Sequence, residues 1–258
     1  PDDDPRLGDV DEWDHSEQKR GLVRKAFDPV YRHYFRAEWE GLEHIPTDGG
    51  ALLVANHAGA VPSDAPVIMH GIETELERPV YGLADNFFRK IPFVGTMWSR
   101  AGGLPAHPDN AYRLLNGQGQ LVLVFPEGVK GTSKTIANRY KLARFGRGGF
   151  VEIAMRAVAV MGNEEANPIL WRLPGAKMLG VPYLPVTPQS LVLGPLGTLV
   201  PLPAKFKLRV LPPVTFDVPP SQHRYSRTRI MDGSQEIQGK IQEALYEMVA
   251  ERRNWWGG

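Results

Sequence analysis

Two places in the chain carry residues that could move a proton, and each closes an apolar run. The run Ala51-Leu52-Leu53-Val54-Ala55 ends in Asn56-His57, and Asp64 follows after six residues that include Gly59 and Pro62. An imidazole can take a proton from a hydroxyl near neutral pH. A carboxylate on its other ring nitrogen fixes the tautomer and stabilises the imidazolium that forms. The same residues also describe a surface histidine and a helix-capping aspartate that never meet. The second run, Gln120-Leu121-Val122-Leu123-Val124-Phe125, enters Pro126-Glu127-Gly128-Val129-Lys130-Gly131. If the two runs are parallel strands, His57, Asp64, Glu127 and Lys130 share one sheet edge, the edge where open α/β sheets bind ligands. A third stretch holds Lys134, Arg139, Lys141, Arg144 and Arg147 among Gly146, Gly148 and Gly149. Backbone N–H groups and guanidinium forks there suit an anion, although a solvated loop reads the same way. No Walker phosphate loop is present.

The elements that must place these residues follow from apolar spacing. Ala51–Ala55 reads as a buried strand, with a helix after Ser63 or Asp64 as N-cap and Pro66 in its first turn. Pro79–Leu83, Gln120–Phe125, Ala157–Met161 and Phe206–Leu211 read as further strands, and Trp39–Glu43 as a short strand and turn. Asp85–Arg100, Asp109–Leu115 and Gly149–Arg156 read as helices, Ala101–Pro105 as a loop. Alternating strands and helices predict an α/β fold: a mixed, largely parallel central sheet flanked by helices. Ser16–Glu40 predicts an N-terminal amphipathic helix in which Lys19, Arg20, Arg24, Lys25, Arg32 and Arg36 lie between aromatics. It suits an anionic membrane surface or an ordinary packed helix with a basic face. Residues 1–14 read as a poorly ordered acidic arm, so residues 1–40 are expected as arm and helix and 41–258 as one domain. Leu179–Pro203 is apolar but broken by prolines and glycines. It fits either a buried hairpin, the favoured reading, or a lipid-facing loop, and no helix. Ser234–Arg253 predicts an amphipathic helix, and Trp255-Trp256 either an interface anchor or a packed chain end.

Composition excludes several classes. The 258 residues carry no cysteine, which removes disulfides, thiolate metal sites and a cysteine nucleophile together. A net charge of +1 gives no global attraction to nucleic acid. No window is long and apolar enough to span a membrane, and no segment reads as a secretory signal.

Taken together, the motifs resemble the glycerolipid acyltransferases, the superfamily of lysophosphatidic acid and glycerol-3-phosphate acyltransferases. Asn56-His57 and Asp64 are similar to its Asn-His-x4-Asp hallmark, here in a longer form that resembles a bacterial branch. Phe125-Pro126-Glu127-Gly128-Val129-Lys130 resembles its Phe-Pro-Glu-Gly-Thr-Arg motif, with lysine for the usual arginine. Ile91-Pro92-Phe93-Val94-Gly95 with Arg100 resembles the block between them, and Val181-Pro182-Tyr183-Leu184-Pro185-Val186 a later one. Met155-Arg156-Ala157-Val158 departs from the pattern, running straight from helix to strand where a Gly-x-Pro-x-x-Pro-Val stretch is expected. The resemblance implies an O-acyltransferase of phospholipid biosynthesis, 1-acylglycerol-3-phosphate O-acyltransferase-like. Its donor would be a thioester, acyl-CoA or acyl carrier protein. Its acceptor would be a hydroxyl of a lysophospholipid or glycerol phosphate. His57 and Asp64 are then the catalytic pair, with backbone N–H groups at Ala58 and Gly59 facing the oxyanion. Asn56, Glu127, Gly128 and Lys130 would bind substrate, with Arg139, Arg144 and Arg147 as further phosphate ligands. No metal and no cofactor beyond the co-substrate is implied. The enzyme would sit peripherally on the cytoplasmic face of the inner membrane, through Ser16–Glu40 or Leu179–Pro203. The alternatives are a lipid-binding protein of the same fold without catalysis, and a thioester or lipid-ester hydrolase.

Overall fold

The computed structural model describes residues 13, 16–61, 63–84, 102–145, 155–179, 181–214 and 227–254. The expected helix at Asp85–Arg100 with its Ile91–Gly95 block, the acidic arm before Trp13, Arg147 and the glycines beside it, and Trp255-Trp256 lie outside the described residues.

Among the described residues seven strands form one sheet: β1 (Glu38–Glu40), β2 (Ala51–Ala55), β3 (Val80–Ala84), β4 (Gly103–Pro105), β5 (Leu121–Val124), β6 (Met155–Met161) and β9 (Lys207–Val210). Their order is β1-β9-β6-β2-β5-β3-β4. From β6 to β4 all neighbours are parallel, while β9 runs antiparallel to β6 and carries β1 parallel to itself. The mixed, largely parallel sheet is therefore present. β2 sits between β5 and β6, registered Val54 to Val124 and Val54 to Ala157. That central place explains its unbroken apolar run, because both faces are covered. Leu53 and Ala55 pack with Val67, Ile68 and Ile72 of α2 (Asp64–Leu76) and with Tyr31 and Phe35. Leu52 and Val54 pack on the opposite face with Ile237, Ile241 and Leu245 of α7 (Arg227–Glu251). The amphipathic stripe read at the C-terminal end is thus the cover of the second face.

Five expectations are corrected. The N-terminal helix stops early: α1 covers Glu17–Pro29, a wider five-residue turn follows over Val30–Tyr34, and the chain is extended by Glu38. Pro29 lacks the N–H that a regular ladder needs, and Arg36 takes a left-handed φ of 45° that ends the coil. Arg20 also leaves the basic face. It is buried, ion-paired with Glu73 and hydrogen-bonded to the Val80 carbonyl at 3.0 Å. Gly103–Pro105 is a strand instead of a loop, and β6 begins at Met155, so no helix reaches Arg156. Finally, Leu179–Pro203 does contain a helix, and its described residues are for the most part half-buried or buried, with an exposed apolar group at Leu191–Leu193, Leu196 and Leu199–Val200. β7 (Trp171–Leu173) and β8 (Leu184–Val186) form a separate antiparallel pair, followed by α6 (Pro188–Leu193) and a 3-10 turn at Pro195–Leu199. Thr187 and Ser190 close a capping box that starts α6. The Val181–Val186 motif accordingly lies in that small pair, away from the main sheet.

Candidate active site

The carboxyl ends of β2, β5 and β6 converge on His57. Leaving β2, Asn56 donates its amide to the Val160 carbonyl at 2.8 Å and accepts from the Val160 N–H at 2.7 Å. Its side chain thereby continues the ladder to β6 after the backbone has turned away. His57 is 8 % exposed. Its Nδ1 lies 2.8 Å from Asp64 Oδ2, so the longer spacing does bring the pair together. Asp64 is fully buried as the first residue of α2 and accepts two more bonds, from the Ala58 N–H at 3.1 Å and the Ala65 N–H at 2.9 Å. Ser63 is the helix N-cap but makes no side-chain capping bond. The His57 ring stacks on Phe125, with centroids 4.2 Å apart and planes 21° from parallel. Among the described residues Nε2 has no hydrogen-bond partner, and it is not among the enclosed polar atoms. With Nδ1–H donated to Asp64, Nε2 is the lone-pair nitrogen and can accept a proton.

From β5, Glu127 comes underneath. Its Oε1 accepts the His57 backbone N–H at 2.9 Å and its Oε2 the Ala143 N–H at 2.6 Å. It therefore clamps the His57 loop to the 133–145 segment that carries Arg139 and Arg144. The clamp is close-fitting. A Cβ on Gly131, in α4 (Val129–Thr132), would sit 2.7 Å from the His57 carbonyl oxygen and 2.8 Å from His57 Cβ. Gly128 turns the chain into α4 with φ 53°, ψ −140°. Lys130 on α4, Arg139 and Arg144 are exposed and form no ion pair among the described residues.

Beyond these lies a polar group that the sequence reading did not single out. α5 (Asn163–Ala166) follows β6 and buries two adjacent carboxylates. Lys134 stands between Glu127 Oε2 at 3.4 Å and Glu164 Oε1 at 3.3 Å, ion-pair distances and not tight hydrogen bonds. The other oxygen of Glu164 accepts the Tyr140 N–H. Glu165 accepts from the Tyr140 hydroxyl and from Arg252 Nη1, the latter at 3.0 Å. Burial pushes Glu164 up to about 7; Lys134 pulls it down and Glu127 up. Burial also raises Glu165, against Arg252. The available signal was a third polar cluster, Asn163-Glu164-Glu165, directly after an apolar strand. On the near side, the Tyr183 hydroxyl donates to the Ala60 carbonyl at 3.2 Å and ties the β7–β8 pair to the His57 loop.

The Ala58 N–H is engaged by Asp64, which corrects its assignment to an oxyanion; the Gly59 N–H has no partner among the described residues. Chemically the arrangement offers one oriented imidazole whose Nε2 is unpartnered among the described residues, with exposed cations on the two segments, α4 and 133–145, that pack against its loop or are clamped to it. Among the described residues no cluster of acidic, histidine or cysteine side chains could hold a metal ion.

A family model described as Acyltransferase matches residues 36–188. An uncharacterized protein of Mycobacterium tuberculosis (strain ATCC 25618 / H37Rv) is 37% identical over 252 residues, 92% of this chain and 68% of that one. The human DGAT1/2-independent enzyme synthesizing storage lipids is 28% identical over 145 residues, 56% of this chain and 43% of that one. Among solved structures, the 1-acyl-sn-glycerophosphate (LPA) acyltransferase PlsC from Thermotoga maritima superposes with a TM-score of 0.55. That match is 18% identical in sequence and covers 91% of this chain and 84% of the other.

Proposed function

From membership of the acyltransferase family, to which this chain belongs, we propose that it moves a fatty acyl group from a thioester donor to a hydroxyl of a lysophospholipid or glycerol phosphate. The observation that carries the proposal is the Asp64–His57 pair with Nε2 open. The acceptor hydroxyl gives its proton to Nε2 as its oxygen bonds to the thioester carbonyl carbon. The carbon–sulfur bond then breaks, and the imidazolium returns the proton to the departing thiolate. Asp64 holds Nδ1–H and stabilises the transient cation. The Gly59 N–H is the donor left to face the developing oxyanion. Lys130, Arg139 and Arg144 supply positive charge for the acceptor phosphate, Lys130 as a point charge in place of a bidentate fork. Glu127 and Asn56 act through the His57 loop, since both ends of each side chain are already bonded to protein.

The test is thiol release from palmitoyl-CoA by wild type and His57→Ala, with lysophosphatidate, glycerol 3-phosphate, other lysophospholipids, or no acceptor. Acceptor-dependent release that falls by roughly 10²-fold or more in the variant is expected. Equal rates in the two proteins would remove His57 as the base. Release that ignores the acceptor would make the protein a hydrolase.

A further inference from the structure

Just past the residues matched by the family model, α6 and the 3-10 turn stand back to back as a small helical ridge. Its inner side is tight. A Cβ on Gly197 would lie 2.3 Å from the Gln189 carbonyl oxygen. Gln189 is buried and donates its amide to the carbonyls of Ala166 and Val200. The outer side is apolar and bare. Leu191, Leu193 and Leu199 are each about as exposed as they are covered or more so, Val192 is 82 % exposed and Leu196 76 %. Beside it on β7 stand Trp171, 49 % exposed, and Arg172, also exposed and without an ion pair among the described residues. Met178, in the β7–β8 connection, is 91 % exposed.

We infer that this ridge, with the β7–β8 connection beside it, is the surface by which the protein seats itself in an anionic lipid bilayer, and that α1 is not. Three observations select a bilayer over a protein partner. First, Met178–Ala204 contains no charged residue, and residues 166–216 contain no acidic one in a chain that has 29. Arg172 and Lys177 precede the uncharged stretch in sequence, so the charges nearest it on that side attract anionic headgroups; Lys205, which follows it, is ion-paired with Glu38. Second, the ridge pairs backbone groups of its own, although Gln189 Oε1 on its inner side is unpartnered among the described residues. The capping box satisfies the start of α6, Leu191 N–H bonds to Thr187, and Gly197 and Val200 N–H groups bond to Gly194 and Gly197. A segment whose backbone is internally paired can leave water without orphaned polar groups. Third, a tryptophan next to an arginine at the edge of an apolar patch is the composition of a membrane–water interface. α1 differs in what it exposes: Arg20 and Phe27 pack toward α2, leaving Leu22 as the large apolar residue of α1 that is well exposed. The ridge is tied to α5 through Gln189 to the Ala166 carbonyl, and α5 is tied to the loop holding His57 through the Asn163 amide to the Ala58 carbonyl. The inference uses the acyl-transfer reading only as the reason to meet lipid.

The experiment is co-sedimentation with sucrose-loaded vesicles of phosphatidylcholine and phosphatidylglycerol, 7:3, without substrate. Wild type and His57→Ala are expected to bind alike, which separates binding from catalysis. Val192→Asp/Leu193→Asp/Leu196→Asp is expected to lower the partition coefficient at least tenfold with an unchanged melting temperature. Lys19→Glu/Arg24→Glu/Lys25→Glu is expected to change it less than threefold. Because the chain has no cysteine, a single Val192→Cys labelled with an environment-sensitive dye reads insertion directly as a blue shift on adding vesicles. A wild type that ignores the vesicles, a triple-aspartate variant that binds like wild type, or a label unshifted by lipid would each overturn the inference. So would a wild-type dimer that the aspartates dissociate, since the ridge would then cover a second copy.

Discussion

Asp64→Asn probes the site without emptying it. The amide has one oxygen where the carboxylate has two. Kept on the Oδ2 side, that oxygen still accepts from His57 Nδ1–H and the Ala58 N–H, and the new NH2 then faces the Ala65 N–H. Turned around, it would meet Ala65 and set its NH2 against two donors instead of one. The first orientation wins, so His57 keeps its tautomer and loses only the negative charge behind it. A unit charge pair at about 4 Å and an effective dielectric near 20 is worth about 4 kcal/mol. The amide dipole retains part of that, so roughly 2–4 kcal/mol of imidazolium stabilisation disappears, a factor of about 30 to 10³ in kcat at 1.36 kcal/mol per decade. The unpaired Ala65 N–H costs a further 1–3 kcal/mol or so of stability, a fall in Tm of several degrees for a chain this size. The assay is thiol release with the preferred acceptor, with Tm measured on the same preparation. A kcat/KM within threefold of wild type, accompanied by the Tm fall that shows the amide in place, would refute the use of this pair in the chemistry.

Two further outcomes follow from the packing around the same loop. Gly131→Ala pushes a methyl into the backbone and Cβ of His57, so kcat should fall at least tenfold while vesicle binding is untouched; an active variant would show that the His57 loop tolerates displacement. Glu164, raised from 4.5 to about 7, holds its proton more tightly folded than unfolded. Its contribution to stability is complete below about pH 4.5 and is lost as the pH rises through 7, roughly 3 kcal/mol in all. Melting temperatures of wild type and Glu164→Gln across pH 5–8 should therefore converge at the acid end and separate with rising pH, the variant being the more stable; parallel curves would remove Glu164 as the titrating group.

The sheet and its central strands were legible because a parallel core leaves unbroken apolar runs, and β2 and β5 are such runs. The His57–Asp64 contact was legible as a possibility. What decided it was the fold-back of the six-residue link, which no local preference records. α1 was overread: Arg20 has the residue type of a solvated face, and only the position of Glu73 on α2 shows that it points inward. α6 was missed because the prolines that argued against a helix stand at its first position and just past its end, where proline is tolerated. Lys134 was read with the cations suited to an anion, and its pairing with Glu164 was missed because a buried pair 30 residues apart in sequence looks like two surface charges until the strand between them is placed.

The side-chain pairing of Asn56 with Val160 has a consequence for how the molecule opens. The Val160 amide belongs to a strand inside the sheet, yet its partner is the residue that launches the His57 loop. Releasing that loop from its base breaks two bonds inside the sheet, so it cannot fray as an independent unit in the way surface loops do. In hydrogen exchange the Val160 amide would behave as a core position that opens with the whole domain, and activity and global structure would be lost together on heating. The loop that must hold an imidazole in place is thereby given the lifetime of the sheet.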